Sequence, residues 1–219
     1  MKVKEVTLFG ATGLIGGFLL DVLIADNDIN KIKVITRKPF SVINKKIENK
    51  IIDFSNINSF SKTVENSDVV FASIGTTQSK VNGNKKEYKK IDYDILNNIA
   101  KACKENNVKN FSFVSSSGAN IKSNNFYLQL KGEIESSILN LNLFSTSIFR
   151  PSLLLGKRKE LRFGERIAQL IMPFFSFFMP STYRPIKASL VAKSMVNISK
   201  LITPGFKIYH YKEIIKQSE

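Results

Sequence analysis

The chain has no tryptophan, one cysteine, one histidine and no apolar stretch of membrane-spanning length. Each absence removes a class of answer. Cys103 stands alone and cannot form an internal disulfide, which excludes a disulfide-stapled fold and leads us to expect a reducing, cytoplasmic setting. His210 lies in the run FKIYHY with no cysteine or carboxylate cluster around it, so no metal and no catalytic role is assigned to it. The longest apolar run, Leu170 to Met179 (LIMPFFSFFM), is about half the length a bilayer needs and contains Pro173. The N-terminus leads directly into a strand-like run, so no signal peptide is expected.

Acidic residues are also in the minority, 18 against 33 Lys and Arg, for a net charge of +15. Such a field attracts polyanions. Yet the lysines, such as Lys45, Lys46, Lys85, Lys86, Lys89 and Lys90, are scattered through helices and loops, without the interleaved aromatics of a base-stacking platform. We therefore expect no nucleic-acid partner. Charge and apolar run together permit membrane contact without predicting it. At 219 residues and 43% hydrophobic, the chain suits one substantial core and is too short for two ordinary domains. The expected partner is a small-molecule substrate, and the expected state a monomer or homodimer.

What is present is alternation. Short apolar runs at 6–9, 32–36, 50–54, 68–74, 111–115, 144–149 and 206–211 are separated by helical patterns at 14–26, 57–66, 85–106, 126–141, 164–172 and 187–202. No repeat or low-complexity linker interrupts them. Strands alternating with helices predict an α/β, doubly wound, mostly parallel sheet, ordered 3-2-1-4-5-6 with a seventh strand beyond, covered on both faces.

The most informative stretch is EVTLFGATGLIG at 5–16, where a strand falls into Gly10, Gly13 and Gly16 and a helix opens. Gly10 suits the tight turn, Gly13 the approach of a pyrophosphate, and Gly16 close packing of helix on strand. The amides and positive dipole end of the helix face the phosphates, which makes Thr12, Leu14 and Ile15 cofactor-binding candidates along with the three glycines.

Ligands of such sheets lie outside the carboxyl ends of the strands. After the second strand stand Thr36, Arg37 and Lys38, where an NAD-specific chain usually has an acid; a base suits a 2'-phosphate, so NADPH is favoured over NADH. The competing reading of Arg37 is a solvated loop cation. Asp53, after the third strand, is either a partner for the adenine amino group or a turn cap. The fourth strand ends at Gly75, Thr76 and Thr77, where glycine permits close passage beside a ribose and the threonines donate to it.

The fifth strand ends in Ser115, Ser116, Ser117 and Gly118, and eleven residues after Ser116 comes Tyr127 with Lys131 one helical turn on. That set suits hydride transfer to or from a carbonyl. Tyr127 exchanges the proton with substrate oxygen, Lys131 lowers the tyrosine's pKa and holds the nicotinamide ribose, and Ser116 orients the oxygen. Its rival is an exposed helical Tyr beside a solvated Lys. A second Tyr-to-Lys pair, Tyr183 and Lys187, encloses Pro185, which disfavours one continuous helix.

With GATGLIG, a strand ending in SSSG, and YLQLK in that order, the chain resembles the short-chain dehydrogenase/reductase superfamily. It is most similar to the atypical branch that includes the Tat-interacting oxidoreductase-like family, through ITRK at 35–38, GTT at 75–77, IDYD at 91–94, FRPSLLLG at 149–156, RKE at 158–160 and GE at 164–165. The resemblance implies a single Rossmann domain binding NADPH through the glycine turn, Arg37, Thr76, Tyr127, Lys131 and Leu154. It also implies that Tyr127 is the proton donor and that Pro151 begins the segment beside the nicotinamide. Three adjacent serines leave open which one is used. The expected function is reduction of a small carbonyl or quinone-like compound. The alternatives are a redox-sensing binding module, in which cofactor occupancy sets the shape of segment 157–185, and an epimerase/dehydratase-like enzyme. A covering role over the cleft is expected for 157–185, with its apolar run as a flap.

Overall fold

In the computed structural model, residues 3–76, 81–156 and 180–219 are described. The strands are β1 (Glu5–Phe9), β2 (Lys31–Thr36), β3 (Ile47–Ile51), β4 (Val69–Ala72), β5 (Asn110–Val114), β6 (Ser145–Phe149), β7 (Leu154–Leu155), β8 (Ile186–Lys187) and β9 (Gly205–Tyr209). Seven of them form one sheet, ordered β3-β2-β1-β4-β5-β6-β9, and every pairing is parallel. All seven carboxyl ends therefore emerge along one edge.

The helices are α1 (Leu14–Ala25), α2 (Ser61–Val64), α3 (Lys85–Lys89), α4 (Ile95–Glu105), α5 (Phe126–Leu139), α6 (Ala188–Ser199) and α7 (Tyr211–Gln217). Alternation along β1 divides the core in two. Val6 and Leu8 face α1, α6 and α7 with Leu19, Leu23, Val191, Met195 and Ile214, while Phe9 faces the other side, where Leu96, Ile99, Leu130 and Ile134 of α4 and α5 pack on Val70, Phe111 and Phe113. Cys103 is buried in that second layer, and burial pushes its thiol well up from the usual value.

The order of the sheet is the predicted one; several boundaries are corrected. The third strand lies at Ile47–Ile51, ahead of the expected 50–54, because Phe54 turns into the core to meet Phe9 and Phe60 edge-on. The helix expected over 57–66 is a 3-10 turn, Ile57–Ser59, followed by α2. The expected helix 85–106 is broken by a π turn, Lys90–Asp94, between α3 and α4. A second, two-stranded sheet pairs β7 with β8, and β9 ends at Tyr209, leaving His210 as the N-cap of α7 with its amide donating to Glu213 Oε2 at 3.1 Å. Neither that small sheet nor α7 was foreseen. The expected helix 164–172 and the apolar run 170–179 lie outside the described residues. No helix among the described residues is long and apolar enough to cross a membrane.

Candidate functional site

The glycine turn has the conformation its sequence demands. Gly10 has φ +89°, and a Cβ there would lie 2.4 Å from the Ser73 carbonyl oxygen, so the turn threads between β1 and the end of β4. Gly16 is tighter: a Cβ would lie 1.9 Å from the Gly10 oxygen, so the first turn of α1 packs on the turn that precedes it. Gly13 is the N-cap of α1, with no side-chain cap and no acid in the first turn. Among the described residues the opening amides of α1 have no side-chain cap and no first-turn acid, which fits a phosphate group there. Ile15 is buried in the core and Leu14 packs against it, so both could reach a nucleotide through their backbone; Thr12 is exposed beside them.

At the end of β2, Thr36 is buried and its hydroxyl accepts from Asn49 Nδ2 at 2.9 Å. Arg37 follows, exposed and with no ion pair among the described residues. Asp53 takes the turn-capping role of its two readings. Its carboxylate accepts from the Ser55 amide at 2.8 Å and from the Ser55 hydroxyl, and these bonds hold it below the usual carboxylate range. The pairing of Asp53 with adenine therefore has to share an acceptor already in use. Gly75 is exposed, and Thr76 has its backbone clamped from both sides: its amide donates to Asp92 Oδ1 at 2.7 Å and its carbonyl accepts from the Tyr88 hydroxyl at 3.1 Å. Thr77 lies outside the described residues.

The three serines after β5 are distinguished by their partners. Ser115 is buried and donates to Glu135 Oε1, a carboxylate that also takes a two-point bond from Arg150. Ser117 is buried and donates to the Thr182 carbonyl at 2.9 Å. Ser116 alone is half-buried, its hydroxyl engaged only with the neighbouring Ser117 carbonyl at 3.2 Å. Among the described residues, Ser116 is thus the serine of the three whose hydroxyl bonds no distant segment.

α5 begins where its cap dictates, Asn125 Oδ1 accepting from the amides of Tyr127 and Leu128. The serine loop folds onto this first turn, with the Asn120 amide donating to the Leu128 carbonyl at 3.0 Å. Gly132 permits the approach, since a Cβ there would lie 2.3 Å from the Ile121 nitrogen. Tyr127 is half-buried and its hydroxyl has no hydrogen bond from any described residue, while Lys131 Nζ lies 5.7 Å from the centre of its ring. Tyr183 and Lys187, by contrast, fall in a 3-10 turn and in β8, not on one helix.

Lys131 and Asp92 form a buried ion pair at 2.8 Å, with side-chain exposures of 4% and 1%. Burial alone lowers the lysine, but Asp92 foremost, then Tyr127 and Glu135, outweigh it and hold the ammonium above its usual value. Asp92 was legible only as part of the IDYD motif. A sharper signal lay in its position four residues after buried Tyr88 and four before buried Leu96, since a carboxylate on the apolar face of a helix needs a partner.

After β6, Pro151 leads into β7. A Cβ on Gly156 would lie 2.9 Å from Leu14 Cδ1, which brings this segment, Leu154 included, beside the glycine turn. Of the expected covering segment, 157–179 lies outside the described residues. Its end is stitched to the site, with Ser152 donating to the Arg184 carbonyl and the Ile186 amide to the Leu153 carbonyl. A cavity of about 660 Å³ among Leu143, Phe144, Leu201 and Ile202 opens at the amino ends of β5 and β6, away from all of these residues, and is not part of the site.

A family model described as NAD(P)H-binding matches residues 10–141. Protein FMP52, mitochondrial, of Candida albicans is 36% identical, the match covering 88% of this chain and 86% of that protein. Protein HTATIP2 of Rattus norvegicus is 30% identical over 94% of this chain and 84% of its own. Among solved structures, MoeE5 in complex with UDP-glucose and NAD superposes with a TM-score of 0.73 at 15% identity, covering 98% of this chain and 80% of that one, a likeness of fold alone.

Proposed function

Because the chain belongs to the NAD(P)H-binding, atypical short-chain dehydrogenase/reductase-like family of FMP52 and HTATIP2, we propose that it is an NADPH-dependent oxidoreductase acting on a small carbonyl or quinone-like substrate. The observation that carries this reading is the grouping of three side chains at the same edge of the sheet as the glycine turn. Among the described residues, the Tyr127 hydroxyl has no hydrogen-bond partner, Lys131 is a charged neighbour on the same helix, and Ser116 bonds only the adjacent Ser117 carbonyl.

The nicotinamide, when bound, supplies the hydride. The opening amides of α1 would hold the pyrophosphate and Arg37 the 2'-phosphate, with Thr76, Lys131, Pro151 and Leu154 as the further residues that would hold the cofactor. Thr76 contributes through its side chain, since its backbone is already bonded to Asp92 and Tyr88. Ser116 Oγ donates to the substrate oxygen and orients it. Tyr127 Oη delivers the proton to that oxygen, and the Lys131 ammonium steadies the negative charge left on the phenol. Its N–H donors not directed at Asp92 would serve the ribose. We assign the protein to a reducing compartment, cytoplasmic by the free and buried Cys103; the FMP52 relatives carry mitochondrial names.

Calorimetric titration with NADPH and then NADH tests the reading, since the absence of tryptophan makes intrinsic fluorescence a poor reporter. Tight NADPH with weak NADH, followed by turnover of aldehydes, ketones or quinones, is the expected result. Binding without turnover of any of them would replace the enzyme by the nucleotide-sensing module. Folded protein that binds neither nucleotide would remove both.

A further inference from the structure

At the edge of the sheet opposite the glycine turn, three connections meet: the one from α4 to β5, the one from α5 to β6, and the one from α6 to β9. Between them lies the cavity of about 660 Å³, within the range of about 300–1,000 Å³ that holds small organic ligands. Buried Val108 and Leu143 line it, while Phe144 and Leu201 stand at it 57% and 65% exposed. Large apolar side chains left in water together mark a surface that something covers. Ile202, also in the lining, has φ +29°, a value that a β-branched residue rarely adopts. It packs against the core while its neighbour Leu201 stands exposed, and strain of this kind collects at ligand sites.

The charge around the cavity has one sign. Lys104 and Lys109 line it, and no carboxylate is among the described lining residues. Lys104 Nζ donates to the Asn142 carbonyl at 2.8 Å, a bond that joins α4 to the α5–β6 connection and fixes the ammonium there with further N–H donors to give. Lys109 Nζ lies 3.9 Å from Asp68 Oδ1, which offsets part of its charge and leaves Lys104 the principal cation. The cations thus come from the α4–β5 side and the exposed apolar side chains from the β6 and β9 side. We propose that this cavity is a binding site, separate from the nucleotide cleft, for a monoanionic amphiphile of the fatty-acid class, its chain against Leu143, Phe144, Leu201 and Ile202 and its carboxylate at Lys104. The concave shape favours one small molecule over a lipid surface.

The test begins with calorimetric titration of decanoate, below its micellar concentration, into the full chain. A single saturable site is expected, with affinity rising about fourfold per added methylene until the cavity is filled. The neutral analogue, 1-decanol, should bind about tenfold more weakly at low salt, and the difference should shrink as salt rises. Lys104→Met should remove most of that preference for the anion. Leu201→Asp should weaken decanoate by at least about tenfold, because it puts a negative charge into the apolar wall. At its exposure Leu201 contributes little to the core, so the melting temperature of that variant should not change. The absence of tryptophan supplies a local reporter: Phe144→Trp gives the chain a sole indole at the cavity, and an ω-bromo fatty acid should quench it.

Uptake that never saturates, or no binding at all, would overturn the proposal. Binding that survives Leu201→Asp and leaves the indole unquenched would do the same, since the ligand would then sit elsewhere. Equal affinity for decanoate and 1-decanol would overturn the anionic class. Quenching by vesicles containing brominated anionic lipid, with none by the monomeric acid, would replace the site with a membrane-facing surface. Should Phe144→Trp not fold, Leu201→Trp carries the same reporter at a more exposed position. None of these measurements uses a nucleotide, so their outcome is independent of the oxidoreductase reading.

Discussion

Arg37→Ala should separate the two nicotinamide cofactors. β2 delivers the chain to Thr36, whose hydroxyl is tied to Asn49, and the next side chain to emerge is the exposed guanidinium of Arg37, with no described ion pair to break. A charge-assisted hydrogen bond to a phosphate contributes about 1.5–3 kcal/mol, which is about 10- to 150-fold in Kd. Exposure places Arg37 at the lower end of that range near physiological salt, because surface charges are screened over about 8 Å. The expected loss is therefore about tenfold for NADPH, larger at low ionic strength, with NADH affinity unchanged within about twofold. Calorimetry at two salt concentrations reads all of this. Arg37→Lys should recover part of the loss, since a point charge remains but the two-point fork does not. Adding Lys38→Ala should deepen the loss if the neighbouring cation substitutes. Equal loss for NADPH and NADH would refute the 2'-phosphate role, and no loss of either would return Arg37 to a solvated loop cation.

Tyr127→Phe should reduce turnover by about 10²- to 10⁴-fold, the contribution of a positioned acid, while NADPH affinity stays within about tenfold; normal turnover would return Tyr127 to the surface. Ser116→Ala should impair turnover at unchanged melting temperature, whereas Ser115→Ala should cost about 1–3 kcal/mol of stability by stripping a donor from buried Glu135; the reverse pattern would reassign the serines. Gly16→Ala forces a Cβ to 1.9 Å from the Gly10 oxygen and should cost at least about 1–3 kcal/mol together with nucleotide binding. Gly17→Ala meets nothing nearer than 3.8 Å and should be neutral or stabilising by up to about 1 kcal/mol. Matched melting curves of the two variants would show the wrong glycine to have been chosen.

The two buried carboxylates near the site serve different ends. Glu135 ties α5 to the end of β5 through Ser115 and to the end of β6 through Arg150, directly before Pro151. It is scaffold, and it fixes the distance between the serine loop and the segment that passes Leu14. Asp92 instead contacts Lys131 and Thr76, both of which the proposed chemistry uses. One carboxylate ties β5 and β6 to α5, and the other ties the end of β4 to Lys131 on α5.

The order of the sheet was legible in the sequence because parallel strands buried on both faces are continuous apolar runs, and because right-handed crossovers leave few topologies. The glycine turn was legible for a local reason: only glycine tolerates φ +89° at position 10 and a carbonyl against position 16. Tyr127 and Lys131 were legible through helical spacing, which is also local. Boundaries such as that of β3 were not, since Phe54 abandons the strand for partners, Phe9 and Phe60, that lie far along the chain or across a turn. The choice among Ser115, Ser116 and Ser117 was beyond sequence for the same reason. They are adjacent in sequence, and only long-range partners, Glu135 from α5 and the carbonyl of Thr182, distinguish Ser115 and Ser117 from Ser116. The pairing of Asp92 with Lys131 spans 39 residues and depends on a π turn that no propensity specifies. Local stereochemistry thus dictated the turn, the elements and their order, and packing between distant segments decided which polar groups are locked and which remain free to react.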